Sequence, residues 1–254
     1  MPGLAFTYGF AAIWWLIGWM SGSLFNWIVL AKRLRIATES YDSVTVVEFF
    51  EKRTGDKKGL IGLVSGISII ILMTINSSGE LIGCGKLIQA AFGINFTTAV
   101  TIGLVIVVVY TFLGGYMAVS WSNLLQGALM FVALLLVPLY AIFHMGGFGV
   151  LAQNLASLDP EFFNFLHGTT DPVQIVVLVS GGLGIGFMYP GMVHALTGLI
   201  AIKDPQEIKD AGLIATIWGC AALGGASLIG FAGRALLSDI ADPEQTFLVL
   251  SETY

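Results

Sequence analysis

The sequence predicts an all-α membrane protein with six transmembrane helices. Three observations carry that expectation. Of the 254 residues, 56% are apolar and only 11% are charged, whereas a soluble domain carries about 25% charged residues. The apolar residues gather into long, nearly charge-free runs, each able to supply the ~20 residues a helix needs to span ~30 Å of hydrocarbon. The positive charge is gathered too. Seven of the eleven Lys and Arg residues (Lys32, Arg33, Arg35, Lys52, Arg53, Lys57 and Lys58) lie in one polar stretch.

In chain order the spans are expected at 6–31, 60–92, 97–115, 121–143, 173–200 and 213–232. The second is long for a bilayer, so it tilts or protrudes. The runs are continuous rather than alternating, which argues against a strand barrel. Residues 38–53 set Val46, Val47, Phe49 and Phe50 beside Glu48, Glu51, Lys52 and Arg53. That pattern predicts a short amphipathic helix at the membrane surface, with a solvated loop as the alternative. At the junction of the third and fourth spans, Gly114-Gly115 permits a tight reversal and Trp121 suits an interfacial anchor. Asn123 and Gln126 then face either an inner vestibule or the headgroups. Residues 146–171 read as an ordered external loop. No linker divides the chain, so 1–254 reads as a single membrane domain.

Orientation follows from charge. With the loop 32–58 inside, residues 117–123 and 201–210 are inside as well, which adds Lys203 and Lys209 to the inner set. The outer set keeps only Lys86 and Arg234. The excess of basic residues on one side predicts a cytoplasmic loop 32–58 in a plasma (inner) membrane protein. The N-terminus, residues 146–171 and the tail after the last span are then expected outside.

Several classes are excluded. A net charge of −5 lacks the basic face a nucleic acid requires. Cys84 and Cys220 lie inside apolar runs and read as small core residues. The three histidines are scattered and no metal-ligand spacing exists. No nucleophile–base arrangement is visible, so no enzyme, metal or cofactor is expected. The first apolar run is too long for a cleavable signal peptide and lacks a basic start.

Polar groups inside spans point to function. Glu80 lies in the second span, with Asn76 and Ser77 four and three residues earlier on the same helical face. A carboxylate at membrane depth marks a candidate site; these groups either line a polar cavity or sit at the outer interface with Lys86 and water. The fifth span carries Gly181, Gly182, Gly184, Gly186 and Gly191 around Tyr189-Pro190. Glycine weakens a helix interior by about 1 kcal/mol and proline by about 3. The pattern predicts a discontinuous helix whose freed backbone groups bind solute or ion, or a kinked packing helix. His194, just past the break, binds, gates or packs.

The stretches AKRLRIATESYDSVTVVEFFEKR and YTFLGGYMAVSWSNLLQGALM resemble the sodium:solute symporter family, and within it the sodium/proline symporters. The second is similar to the family's GG-x-x-AV-x-W-[ST]-D-x-x-Q signature. The resemblance runs over nearly the whole chain. It implies a five-plus-five inverted-repeat fold working by alternating access, with sodium as coupling ion and proline or a related small organic solute as cargo. It places Tyr189, Asn76, Ile185 and Gly186 near solute, and Asn123 and Glu80 on the ion pathway. Asn123 stands where the family signature has Asp, which puts ion coupling in question, and Ile185 stands where an aromatic is usual. The resemblance also implies an internal piece of a longer transporter. The helices of the principal sodium site would lie beyond both ends, so no sodium ligand is nominated. Two other functions stay open: the membrane sensor domain of a symporter-like histidine kinase, and a truncated membrane protein without transport.

Overall fold

In hydrocarbon every backbone N–H and C=O must find a partner within its own segment, so charge-free runs of this length fold as helices. The computed structural model describes residues 1–237 and 243–253, and those residues contain no strand. The chain opens with α1 (Pro2–Tyr8), a 3₁₀ turn (Gly9–Ala12) and α2 (Ile13–Phe25). A π-helical turn, Asn26–Leu30, leads directly into α3 (Ala31–Ser40). α4 (Val46–Thr54), α5 (Leu60–Phe92), α6 (Phe96–Met145) and α7 (Phe148–Leu158) follow. α8 (Pro172–Met188) passes through a 3₁₀ turn (Tyr189–Gly191) to α9 (Val193–Ile200). α10 (Ile208–Leu236), a turn at Pro243–Gln245 and α11 (Thr246–Thr253) complete the order.

Side chains fix several helix starts. The Asn95 carboxamide oxygen accepts from Thr98 N at 2.8 Å, and the Asp171 carboxylate accepts from Val173 N at 3.0 Å ahead of Pro172. Asp56 accepts from Ile61 N at 2.6 Å and so caps α5 from outside. Each relieves a backbone donor that the first helical turn leaves unpaired.

Among the described residues five helical runs are long and apolar enough to cross a membrane: Pro2–Ser40, Leu60–Phe92, Phe96–Met145, Pro172–Gly191 and Ile208–Leu236. The sequence expectation of separate spans at 97–115 and 121–143 meets a different outcome. The two abut within α6, where only Gly115 leaves helical angles (φ 53, ψ −150). The expected reversal at Gly114-Gly115 is therefore a one-residue break without a loop. A glycine in left-handed backbone redirects a chain by itself, and Tyr116–Trp121 holds no Gly or Pro to stop the helix resuming. The first span also runs further than expected, since α3 continues to Ser40.

The chain packs as two compact units, Met1–Val46 with Met130–Tyr254, and Val47–Leu129. In the first unit, Ile142, Leu151, Leu155, Phe162, Ile229 and Leu250 form the main core. Phe162 stands edge-on to Phe231 (5.4 Å, 73°), and its carbonyl accepts from Phe10 N at 2.9 Å. Gly9 (φ 54) lets this approach happen, because a Cβ there would collide with that carbonyl. The expected ordered loop at 146–171 is thus α7 plus turns, pinned by a buried phenylalanine. A smaller cluster, Ala31, Leu34, Leu196, Leu199 and Ile208, joins α3 to α9 and the start of α10. Above it the Arg35 guanidinium donates to the carbonyls of Ile202 (2.6 Å) and Lys203 (3.4 Å). The stretch 201–203 therefore lies at the same end of this unit as α3. The tail after the last span includes residues 238–242 and 254, which lie outside the described residues.

In the second unit α4 is the amphipathic helix the sequence predicts. Phe49 is buried, Lys52 pairs with Glu48 at 2.8 Å, and the Arg53 guanidinium lies over the Phe49 ring at 5.6 Å. α5 meets α6 through Gly85, which faces Val100, and Cys84, which faces Gly103. Elsewhere α5 presents exposed apolar side chains such as Ile70 and Leu72, as a helix bordered by lipid or by further protein does.

Candidate functional site

The fifth predicted span is discontinuous in the structure. Pro190 has no N–H to offer the helix. After the 3₁₀ turn, Met192 is extended (φ −72, ψ 108), and α9 starts without a side-chain cap. The break exposes backbone polar groups that need partners. The Tyr189 carbonyl finds two: Met192 N at 3.2 Å and the side-chain amide of Asn26, whose Nδ2 donates at 3.1 Å.

Asn26 is the residue sequence reasoning missed. It is 1% exposed and opens the π turn at the end of α2. Helix widenings of this kind recur at functional sites. Its Oδ1 is buried and has no hydrogen-bond partner among the described residues. An unpaired buried acceptor costs about 1–3 kcal/mol. One amide inside an apolar run gives no periodic signal; its depth in the span was the available cue.

Glycine brings α2 and α8 together. Gly18 and Gly22 on α2 meet Gly182 and Gly186 on α8, so each helix presents a G-x-x-x-G face to the other. A Cβ on Gly18 would strike the Gly182 carbonyl oxygen. One on Gly22 would strike that of Gly186 and come 2.8 Å from the Tyr189 Cβ. Small residues at this spacing let membrane helices touch backbone to backbone. This close contact puts Tyr189 within reach of Asn26.

Tyr189 also borders a cavity of about 570 Å³ with Trp19, Ser23 and Trp218 on its walls. The Trp19 and Tyr189 rings meet edge to face, 5.6 Å apart at 86°. Three aromatic residues and Ser23 suit a small, partly apolar solute.

The nominated residues divide between the units. Tyr189, Ile185 and Gly186 belong to the first. Tyr189 lines the cavity, Ile185 is half-buried one turn earlier, and Gly186 faces α2. His194 is exposed beyond the break. Asn76 and Glu80 belong to the second unit, where Asn76 Nδ2 donates to Glu80 Oε1 at 2.9 Å. The structure thus bears out their shared helical face. Asn123 is exposed on α6, and on the next turn Gln126 Nε2 donates to Ser122 Oγ at 3.1 Å.

The fold and site define a helical membrane protein with an interrupted helix beside an aromatic cavity, an arrangement membrane transporters use to present backbone polar groups. The chain matches the model of the sodium:solute symporter family over residues 1–249, and it belongs to that family. It is 37% identical over 255 residues to the high-affinity proline transporter PutP of Bacillus subtilis, which covers 98% of this chain and 53% of that protein. It is 33% identical to sodium/proline symporter 2 of Staphylococcus saprophyticus (99% of this chain, 49% of that one) and 32% identical to the osmoregulated proline transporter OpuE of B. subtilis (99% and 51%). The chain spans about half the length of these curated relatives. No solved structure matches it. The family is one of symporters, and these curated relatives are named as transporters.

Proposed function

We propose that the protein takes part in sodium-coupled uptake of proline, or of a related small organic solute, by alternating access. The observation that carries this reading is the helix break at Tyr189–Met192, beside an aromatic cavity, in a member of the sodium:solute symporter family. Proline is an amphipathic solute with an apolar ring and two charged groups. An aromatic wall with nearby backbone groups and amides matches it in kind. The names of the relatives favour proline over other solutes.

On this reading Tyr189 and Ile185 contact solute, Gly186 contributes its backbone, and Asn76 supplies a polar group from its own unit. Asn123 and Glu80 serve the ion pathway. The two units are parts of one membrane domain. The bilayer is crossed six times, with a reversal at Gly115. Length supports that count: 50 helical residues would extend ~75 Å, over twice the ~30 Å hydrocarbon core. Loop 32–58 faces the cytoplasm in a plasma membrane protein.

The test is uptake of labelled proline into cells that lack their own proline transport and express the complete reading frame carrying this chain. Uptake that disappears when choline replaces sodium is the expected result. Uptake indifferent to sodium would remove the coupling. Sodium-driven uptake of another solute with no competition from proline would remove the cargo.

A further inference from the structure

We infer a binding site for one anionic phospholipid in a groove between the α2–α3 junction and the start of α10. The groove encloses about 730 Å³ and is lined by Leu24, Trp27, Ile28, Lys32, Lys209 and Leu213, among others. Its chemistry is graded. Lys32 lies in the first turn of the polar helix α3, and Lys209 in the first turn of α10. Neither ammonium has a hydrogen bond or ion pair among the described residues. Below them the walls are apolar and open, with Ile28 75% and Leu213 61% exposed. Ile217, one turn beyond Leu213 and 58% exposed, continues the strip along α10. Trp27 forms the floor, its ring packed against Gly212, where a Cβ would come within 3.3 Å.

That gradient matches a phospholipid rather than a soluble anion. Two cations lining the same groove meet a phosphodiester, and an exposed apolar strip continuing from them meets an acyl chain. A soluble phosphate would use the lysines and make no contact with the strip. Three carboxylates lie close in sequence (Asp204, Glu207 and Asp210), but none lines the groove. Asp204 is engaged by Gln206 N at 2.8 Å. The neighbouring Arg35 is committed to the carbonyls of Ile202 and Lys203 and to Glu39 at 3.2 Å. Lys32 and Lys209 are the cations that line the groove. The site needs only the membrane setting and is independent of which solute is carried.

Native mass spectrometry of the detergent-purified chain tests it, with phosphatidylglycerol or phosphatidylcholine added. Phosphatidylglycerol should be retained in preference. The double variant Lys32→Gln/Lys209→Gln should lower that retention roughly thirtyfold, two lysines at ~1 kcal/mol each. Lys57→Gln/Lys58→Gln removes the same charge elsewhere and should change nothing. If the first variant does not fold, Trp27 gives a second readout. Phosphatidylglycerol with brominated chains should quench the parent more than Trp27→Phe, and brominated phosphatidylcholine should not. Equal retention by parent and double variant, or equal quenching by both lipids, overturns the site. Displacement of the lipid by millimolar inorganic phosphate makes it a soluble-anion site and overturns the lipid assignment.

Discussion

Asn26 and Tyr189 illustrate what single residues reveal and conceal. Pro190 forbids one helical hydrogen bond wherever it sits inside a span, so the break was legible in the sequence and Tyr189 with it. Asn26 was not, because its role depends on a partner 163 positions away. Its half-satisfied state sets up a prediction. Asn26→Ala removes both the bond to the Tyr189 carbonyl and the orphaned oxygen, effects of opposite sign and each about 1 kcal/mol. Melting temperature in detergent should therefore move little. Solute KM should rise severalfold, because Tyr189 loses its tether, and Tyr189→Ala should raise it at least as much. Wild-type KM in both variants would place the solute elsewhere.

At the scale of the element, hydrophobic run length located most helices to within a few residues. It failed where an element's end is set by backbone conformation. Nothing in composition distinguishes Gly115, which breaks α6, from Gly114, which does not. The π turn at Asn26–Leu30 is equally silent, since it adds no polar residue to the pattern beyond Asn26 itself. The α2–α8 crossing was legible in principle, as two G-x-x-x-G spacings at 18–22 and 182–186. One spacing in a glycine-rich chain says little until its partner is known. The crossing makes an asymmetric prediction about neighbouring glycines. Gly18→Val drives a side chain into the Gly182 backbone and should destabilise by ~3 kcal/mol or more, the upper end for overpacking. Gly184→Ala meets nothing within 4 Å and should be neutral or stabilise by up to ~1 kcal/mol. Thermal unfolding followed by size-exclusion fluorescence separates them, and similar melting points would remove this contact from the fold.

For the whole molecule, the one-sided basic residues predict which loops share a side. The bonds from Arg35 to Ile202 and Lys203 bring two of those stretches to one end. Charge counting carries that information because only the ends of spans tolerate Lys and Arg. It bears on α6 only indirectly: no Lys or Arg lies within that helix, but Lys203 and Lys209 share a side with residues 32–58 only if α6 crosses twice. Labelling decides the count. In a Cys84→Ser/Cys220→Ser background, cysteines replacing Phe92 and Ser157 flank α6. Two crossings put both outside, open to an impermeant maleimide, with Ser40→Cys protected. Phe92→Cys and Ser157→Cys reacting from opposite sides would mean a single crossing.

The glycine crossing also has a mechanical consequence. Where side chains separate two helices, their rotamers can absorb a small displacement; backbone laid on backbone leaves no such cushion. A slide of α2 along α8 would drive the Gly22 Cα toward the Gly186 carbonyl, so in the proposed alternating-access cycle the two helices would move as one rigid body. The pivot then falls on Met192, the extended residue between α8 and α9, where no helical hydrogen bond must rupture for the angle to change.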